Sequence, residues 1–194
     1  MTHLYLIRHG ETDWNVEGRW QGQADVPLNG KGKEQAAQIA QELAQVGLQA
    51  IYSSDLVRAR ETAKALAMVS GLSPLYDPRL REIDQGEWQG LLVTEIQARY
   101  GEAFQRRLES PLSVAPPGGE TVEQVRTRVV SAIEDILVRY PIERVAVVSH
   151  GFALALVQVH YLGLPIQQVW ERVPKNDEWI ELLISPFGES KKAE

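Results

Sequence analysis

The chain has 194 residues, of which 44% are hydrophobic and 24% charged. That balance suits an ordinary folded domain and excludes wholesale disorder and collagen-like structure. It has no cysteine, which excludes a disulfide scaffold and any Cys-based zinc or iron–sulfur site. Twenty basic residues stand against 26 acidic ones, a net charge of −6. This weighs against nucleic acid as a partner but not against a small anion, because a few inward-facing arginines make a positive pocket inside an acidic protein.

No apolar run approaches the roughly 18 residues that a membrane span needs. The apolar stretch at the N-terminus has no basic region before it, so it reads as a first strand and not as a signal peptide. The expected location is cytoplasmic, with no membrane partner.

Residues 4–7 are apolar and β-prone. Residues 10–29 mix charges, tryptophans and glycines without periodicity and read as a long functional loop. From Lys31 to Val46 the pattern turns helical, with Ala36, Ile39, Ala40 and Leu43 on one face and Gly47 placed to end it. Residues 50–52 form a short strand. A helix from about Asp55 to Val69 carries Leu56, Ala59, Ala63 and Leu66 on one side and stops at Gly71 and Pro74. Residues 73–76 suggest an edge strand. Residues 79–90 lack periodicity and hold Glu82, Asp84, Glu87 and Trp88; helical character returns from Thr94 to Leu108.

Residues 110–119 are the richest Pro/Gly stretch and read as a surface loop within the domain. Thr121 and Gln124 form a capping box, and behind it Val122, Val125, Val129, Ile133, Ile136 and Leu137 recur at helical spacing. Val145-Ala146-Val147-Val148 is a continuous apolar run, as expected of a strand buried on both faces. A helix over residues 152–162, a last strand over 180–184 and a polar tail over 189–194 complete the chain. Strands alternating with helical connections imply an α/β protein: a single domain over residues 1–194, built as a three-layer αβα sandwich with a mainly parallel central sheet.

Ligands of such sheets bind at the carboxyl ends of the strands. Two apolar runs deliver a histidine there, in Arg8-His9-Gly10 and in Ser149-His150-Gly151. Arg58 follows the second strand. Two arginines and two histidines on one sheet edge make a site for a tetrahedral dianion, with phosphate the natural guest. Gly10 and Gly151 are expected to let the backbone approach it.

At this point a family resemblance becomes specific. Residues 6–15 resemble the signature of the histidine phosphatase superfamily, in its phosphoglycerate-mutase-like branch. Gln21-Gly22 with residues 25–28, residues 53–62, Arg81-Glu82-Ile83 with residues 86–90, residues 117–121 and residues 148–151 resemble the family's later segments in the same order. The resemblance implies a phosphoglycerate-mutase-like fold, with His9 as the nucleophile that becomes phosphohistidine. It implies that Arg8, Arg58 and His150 hold the phosphoryl oxygens. Asn15, Gln21 and Gly22, with Gly151 beside His150, then contact phosphate or substrate, and Glu82 gives and takes the proton from a partly desolvated pocket. The activity implied is that of a phosphoric monoester hydrolase of histidine acid phosphatase type, acting on a small phosphorylated metabolite. A homodimer is the default assembly.

Each nominee has a plainer alternative. Glu82 competes by residue type with Asp84 and Glu87. Arg58 has Glu61 and Asp55 three residues away as helix-surface partners. Arg106 and Arg107 either meet a substrate carboxylate or, as the residue types favour, form a solvated charged face. His3 and His160 are assigned to structure. Trp14, Trp20 and Trp88 either line the pocket or cover the sheet edge, and Ser54 or Asp55 caps the following helix. A two-His, one-carboxylate metal site of His9, His150 and Glu82 is disfavoured because two arginines repel a cation. No metal and no cofactor are expected. Phosphoglycerate mutase activity is the second reading. Against it, the mutases carry an arginine directly after the acid and a tyrosine two places later, where this chain has Ile83 and Gln85, and they carry an insertion before the Pro/Gly loop that this chain lacks. A catalytically silent phosphate-binding module is the third reading.

Overall fold

The computed structural model describes residues 1–110, 112–185 and 190–191. Its strands are β1 (Thr2–Arg8), β2 (Ala50–Ser53), β3 (Leu75–Tyr76), β4 (Arg144–Ser149), β5 (Trp179–Ile184) and β6 (Ser190–Lys191). They form one sheet in the order β3-β2-β4-β1-β5-β6. The pairs from β3 through β1 are parallel, and β5 and β6 run antiparallel on the far side. The helices are α1 (Asp13–Glu17), α2 (Gly30–Glu42), α3 (Val57–Ser70), α4 (Val93–Glu109), α5 (Val122–Arg139) and α6 (Gly151–Tyr161).

Side-chain alternation along the two central strands builds the layers. Leu4 and Leu6 of β1 and Val145 and Val147 of β4 face α5 and α6. Tyr5 and Ile7, with Ala146 and Val148, face α2 and α3. Both faces of the sheet are therefore dry, and each fully buried aliphatic side chain contributes about 1.5–3 kcal/mol. A third apolar cluster holds Trp88, Ile96 and Phe104, packed by Trp20 and Tyr100. It fixes α4 beside the carboxyl end of the sheet.

Several elements differ from the sequence reading. The loop over 10–29 contains α1, whose five residues are too few to show a period; Thr12 and Asn15 form its capping box. Helix α2 stops at Glu42, not Val46. The amide of Ala44 bonds back to the carbonyl of Gln41, the tighter spacing that winds a helix off. Helix α4 is broken at Tyr100 (φ −130°, ψ 29°). Short 3-10 turns occupy Pro78–Leu80, Gly86–Trp88 and Ile166–Arg172. In the expected polar tail, Ser190–Lys191 pairs with β5; residues 189 and 192–194 lie outside the described residues, as does Pro111 of the Pro/Gly loop. The capping box at Thr121 is present with both of its bonds. Among the described residues, no helix is long and apolar enough to cross a membrane.

Candidate active site

Strand register brings the two histidines together. Arg8 pairs with Ser149 across the β1–β4 ladder, so the next residues, His9 and His150, leave adjacent strands side by side. The amide of His9 donates to the carbonyl of Ser149 at 3.0 Å, and the two rings lie 5.1 Å apart between centroids. His9 is 3% exposed and His150 0%.

The chemistry of its partners fixes the protonation of His9. Its Nδ1 lies 2.8 Å from the carbonyl of Gly10. A carbonyl only accepts, so Nδ1 carries the hydrogen and Nε2 carries a lone pair. The Nε–H of Arg58 donates to that Nε2 at 3.1 Å. Burial first, then the charges of Arg58 and Arg8, push the His9 imidazole well below the usual histidine range. His150 is depressed in the same way, again mainly by burial, with Arg58 next. Its Nε2 lies 2.8 Å from the Ser54 hydroxyl, and its Nδ1 is buried without a hydrogen-bond partner.

Arg58 sits in the first turn of α3, 1% exposed. Its Nη1 and Nη2 donate to the carbonyls of Ala24 and Gly22, each at 2.7 Å. Burial lowers its guanidinium to about 10, so it stays a cation at neutral pH. Arg8 ends β1; its Nη1 donates to the carbonyl of Pro174 at 2.7 Å, and its Nε is buried without a partner. Among the described residues, neither arginine forms an ion pair. Glu82 is the carboxylate whose charge acts on both. The two guanidiniums thus meet backbone dipoles and each other, an arrangement that an incoming anion completes.

Glu82 hangs between two buried anchors, Leu80 (1% exposed) and Ile83 (2% exposed). The Ser149 hydroxyl at the end of β4 donates to the Leu80 carbonyl at 2.7 Å, tying this segment to the sheet edge. Its Oε1 accepts from the amides of Ile83 and Ala153 at 2.9 and 3.2 Å. Its Oε2 accepts from the Phe152 amide at 3.0 Å. Two of these donors are free N–H groups in the first turn of α6. Oε2, with one donor, is the oxygen with room for a proton. The rival acids are occupied elsewhere: Asp84 accepts from the Gly86 amide and Glu87 from the Tyr100 hydroxyl.

A cleft of about 360 Å³ opens over these groups. Arg8, His9, Asn15, Gln21, Gly22, Arg58, Glu82 and Gly151 line it; His150 is buried against the ring of His9. Asn15 spends its Oδ1 on the α1 cap, leaving its NH2 as the donor for the cleft. Gln21 has a buried, unpartnered Oε1, and Gly22 serves through the carbonyl that holds Arg58. The reason for Gly10 is different from the expected one: a Cβ there would overlap the Gly32 backbone, so it is the close packing of two backbones that demands a glycine. A Cβ on Gly151 would lie 2.9 Å from Val173 and 3.4 Å from the Arg8 guanidinium. Among the described residues, no group of three or more His, Asp or Glu is arranged to hold a metal.

Residues 4–192 match the model of the histidine phosphatase superfamily, branch 1. The chain belongs to that superfamily. It is 39% identical over 170 residues to phosphoserine phosphatase 1 of Hydrogenobacter thermophilus, covering 88% of this chain and 81% of that one. It is 39% identical over 166 residues to a probable phosphoglycerate mutase, GpmB, of Enterobacter sp. strain 638, covering 85% and 77%. The structure of a mycobacterial glucosyl-3-phosphoglycerate phosphatase, described as a complex with VO3, superposes with a TM-score of 0.87 at 33% identity, covering 98% and 95%. That structure shares this chain's fold, a phosphoglycerate-mutase-like αβα sandwich.

Several cleft residues were not legible as such in the sequence. Arg107 is 4% exposed and lines the cleft, with its Nη1 donating to the Val114 carbonyl at 2.6 Å. The expected solvated face describes only Arg106, which is exposed opposite Glu102. A signal was present: Arg107 follows Ile96, Tyr100, Ala103 and Phe104 on the apolar stripe of α4. Phe152 and Trp170 also line the cleft, and Trp20 takes the pocket-lining one of the two places expected for it. Trp88 is fully buried in the third cluster, and the Trp14 ring rests 3.2 Å from the Gly90 Cβ position. Neither Ser54 nor Asp55 caps α3 in the expected sense. Asp25 accepts from the Val57 amide at 2.7 Å, Ser54 backs His150, and Asp55 pairs with Arg81 at 2.6 Å. Glu61 accepts from the Leu28 amide and leaves Arg58 free for the cleft. His3 bonds Glu181, and His160 sits edge-on to Tyr161 at the end of α6.

Proposed function

We propose that this chain is a metal-independent phosphomonoesterase that acts on small phosphorylated metabolites through a phosphohistidine on His9. The observation that carries the reading is the His9 ring, with Nδ1–H given to the Gly10 carbonyl and Nε2 left as a lone pair beside Arg58, which forms no ion pair among the described residues. Phosphoryl transfer asks for a placed nucleophile and stabilised charge, and little else, from the protein. In the first step Nε2 bonds to phosphorus and the ester P–O bond breaks. Glu82, in its protonated form, gives its proton to the departing oxygen. In the second step Glu82 takes a proton from water, the water oxygen bonds to phosphorus, the N–P bond breaks and inorganic phosphate leaves. Arg8, Arg58 and His150 hold the phosphoryl oxygens throughout, and Asn15 and Gln21 add polar contacts from the rim. Splitting one hard displacement into two supplies the benefit of a covalent intermediate.

The relatives named as phosphatases support hydrolysis, and Ile83 and Gln85 stand where the mutases carry arginine and tyrosine. Phosphotransfer between phosphoglycerates is the second reading, favoured by the 39% identity to a probable mutase. Incubation with phosphoserine, 3-phosphoglycerate and a generic phosphomonoester, in the presence of a chelator, separates the two. Hydrolysis releases inorganic phosphate without isomer exchange and survives chelation. Rapid interconversion of 2- and 3-phosphoglycerate that needs a bisphosphate primer would overturn it, and strong inhibition by chelator would revive a metal.

A further inference from the structure

Residues 117–120 carry one of the sequence segments singled out above, yet the chemistry just described gives them no role. In the structure they dovetail with the segment that bears Glu82. A Cβ on Gly86 would overlap the Pro117 carbonyl, and one on Gly119 would lie 2.5 Å from the Asp84 carbonyl. The amide of Glu87 donates to the Pro117 carbonyl, and the amide of Glu120 to the Asp84 carbonyl, each at 2.9 Å. Glu120 returns the contact: its Oε2 accepts from the Asp84 amide at 2.9 Å.

Arg128 of α5 closes the arrangement and uses all five of its N–H donors. Its Nη1 donates to the carbonyls of Arg79 and Arg81 at 2.8 and 2.7 Å. Its Nη2 donates to the Glu82 carbonyl at 2.8 Å and to Glu120 Oε2 at 2.7 Å, and its Nε to Glu120 Oε1 at 2.8 Å. The side-chain Nε2 of Gln23 donates to the same Glu82 carbonyl at 3.1 Å. Neither Arg128 nor Glu120 lines the cleft. Glu82 is thus held at both ends, its carboxylate by the start of α6 and its backbone by a guanidinium on α5. Lysine lacks the planar fork that spans these acceptors.

We propose that Arg128 and Glu120 are positioning residues for Glu82: they fix the backbone of the acid so that its Oε2 meets the leaving oxygen. The inference rests on the phosphomonoesterase reading. Proton donation matters for a poor leaving group such as an alkyl alcohol and hardly at all for 2,4-dinitrophenol, which departs as an anion. The test compares kcat/KM for phosphoserine and for 2,4-dinitrophenyl phosphate, with E82Q as the benchmark. Since general acid help is worth about 10²–10⁴-fold, a misplaced acid in R128M lowers the phosphoserine value about 10- to 100-fold more than the dinitrophenyl value. E120Q keeps an acceptor for the Asp84 amide but removes the negative charge that Arg128 faces. It shows the same selective loss, smaller, and carries the test should R128M not fold. A purely structural role lowers both values in proportion; that result, or wild-type ratios in both variants, overturns the inference alone. A wild-type protein inactive on both esters overturns the phosphomonoesterase reading and this inference with it.

Discussion

The two walls of the cleft are built differently. The phosphate wall stands on the ends of β1 and β4, where His9 and His150 are buried and Arg58 is 1% exposed. Backbone register, helix starts and carbonyl partners fix each of these groups. The other side includes the buried Arg107 of α4 and Trp170 of the 3-10 turn at Ile166–Arg172, the latter 55% exposed. A neighbouring groove of about 470 Å³ continues past Phe152 and Trp170 between these same elements. On the proposed function the two sides divide the work: chemistry common to every phosphomonoester falls to the sheet edge, and discrimination among alcohols to side chains on the other side.

The sharpest break of that division comes from H9A. It removes the nucleophile, and kcat/KM for every ester should fall together by about 10⁴-fold or more; a loss confined to some esters would place His9 on the discriminating wall. R58M should follow, at about 10²–10³-fold, the scale of a lost donor to developing negative charge, again without regard to the alcohol.

The phosphate wall should also contribute to the pH dependence of stability. His9 and His150 are held neutral, well below the usual histidine range, so below about pH 6.5 the unfolded chain binds protons that the folded one does not. Stability is complete above that pH. It should fall as the pH drops, by up to about 1.4 kcal/mol per histidine per unit, in denaturant titrations of the apo protein. A double H9Q/H150Q variant should flatten the slope, and an unchanged slope would contradict the burial argument. The smallest effect belongs to the other wall: W170A should re-rank esters by less than about 10-fold, the worth of one apolar contact, while phosphoenzyme formation persists.

The same contrast governs what the sequence disclosed. The layers were legible because the continuous apolar run at 145–148 and the helical spacing in α5 are local signals, and the histidines were legible because each follows an apolar run. Helix α1 was hidden by its length, and only its Thr12 cap betrayed it. Arg107 was misjudged because its charge outweighed its place on an apolar stripe. Arg128 could not be read at all: its carbonyl partners lie 46 to 49 residues away, in a segment without periodicity.

Rapid acid-free quenching of the wild-type protein during turnover of a phosphomonoester tests the covalent step on His9 most directly. Peptide mapping and phosphorus NMR should find one acid-labile, base-stable phosphoryl group, on Nε2 of His9. A phosphoryl group on any other residue, or steady turnover with none ever trapped, would contradict the account.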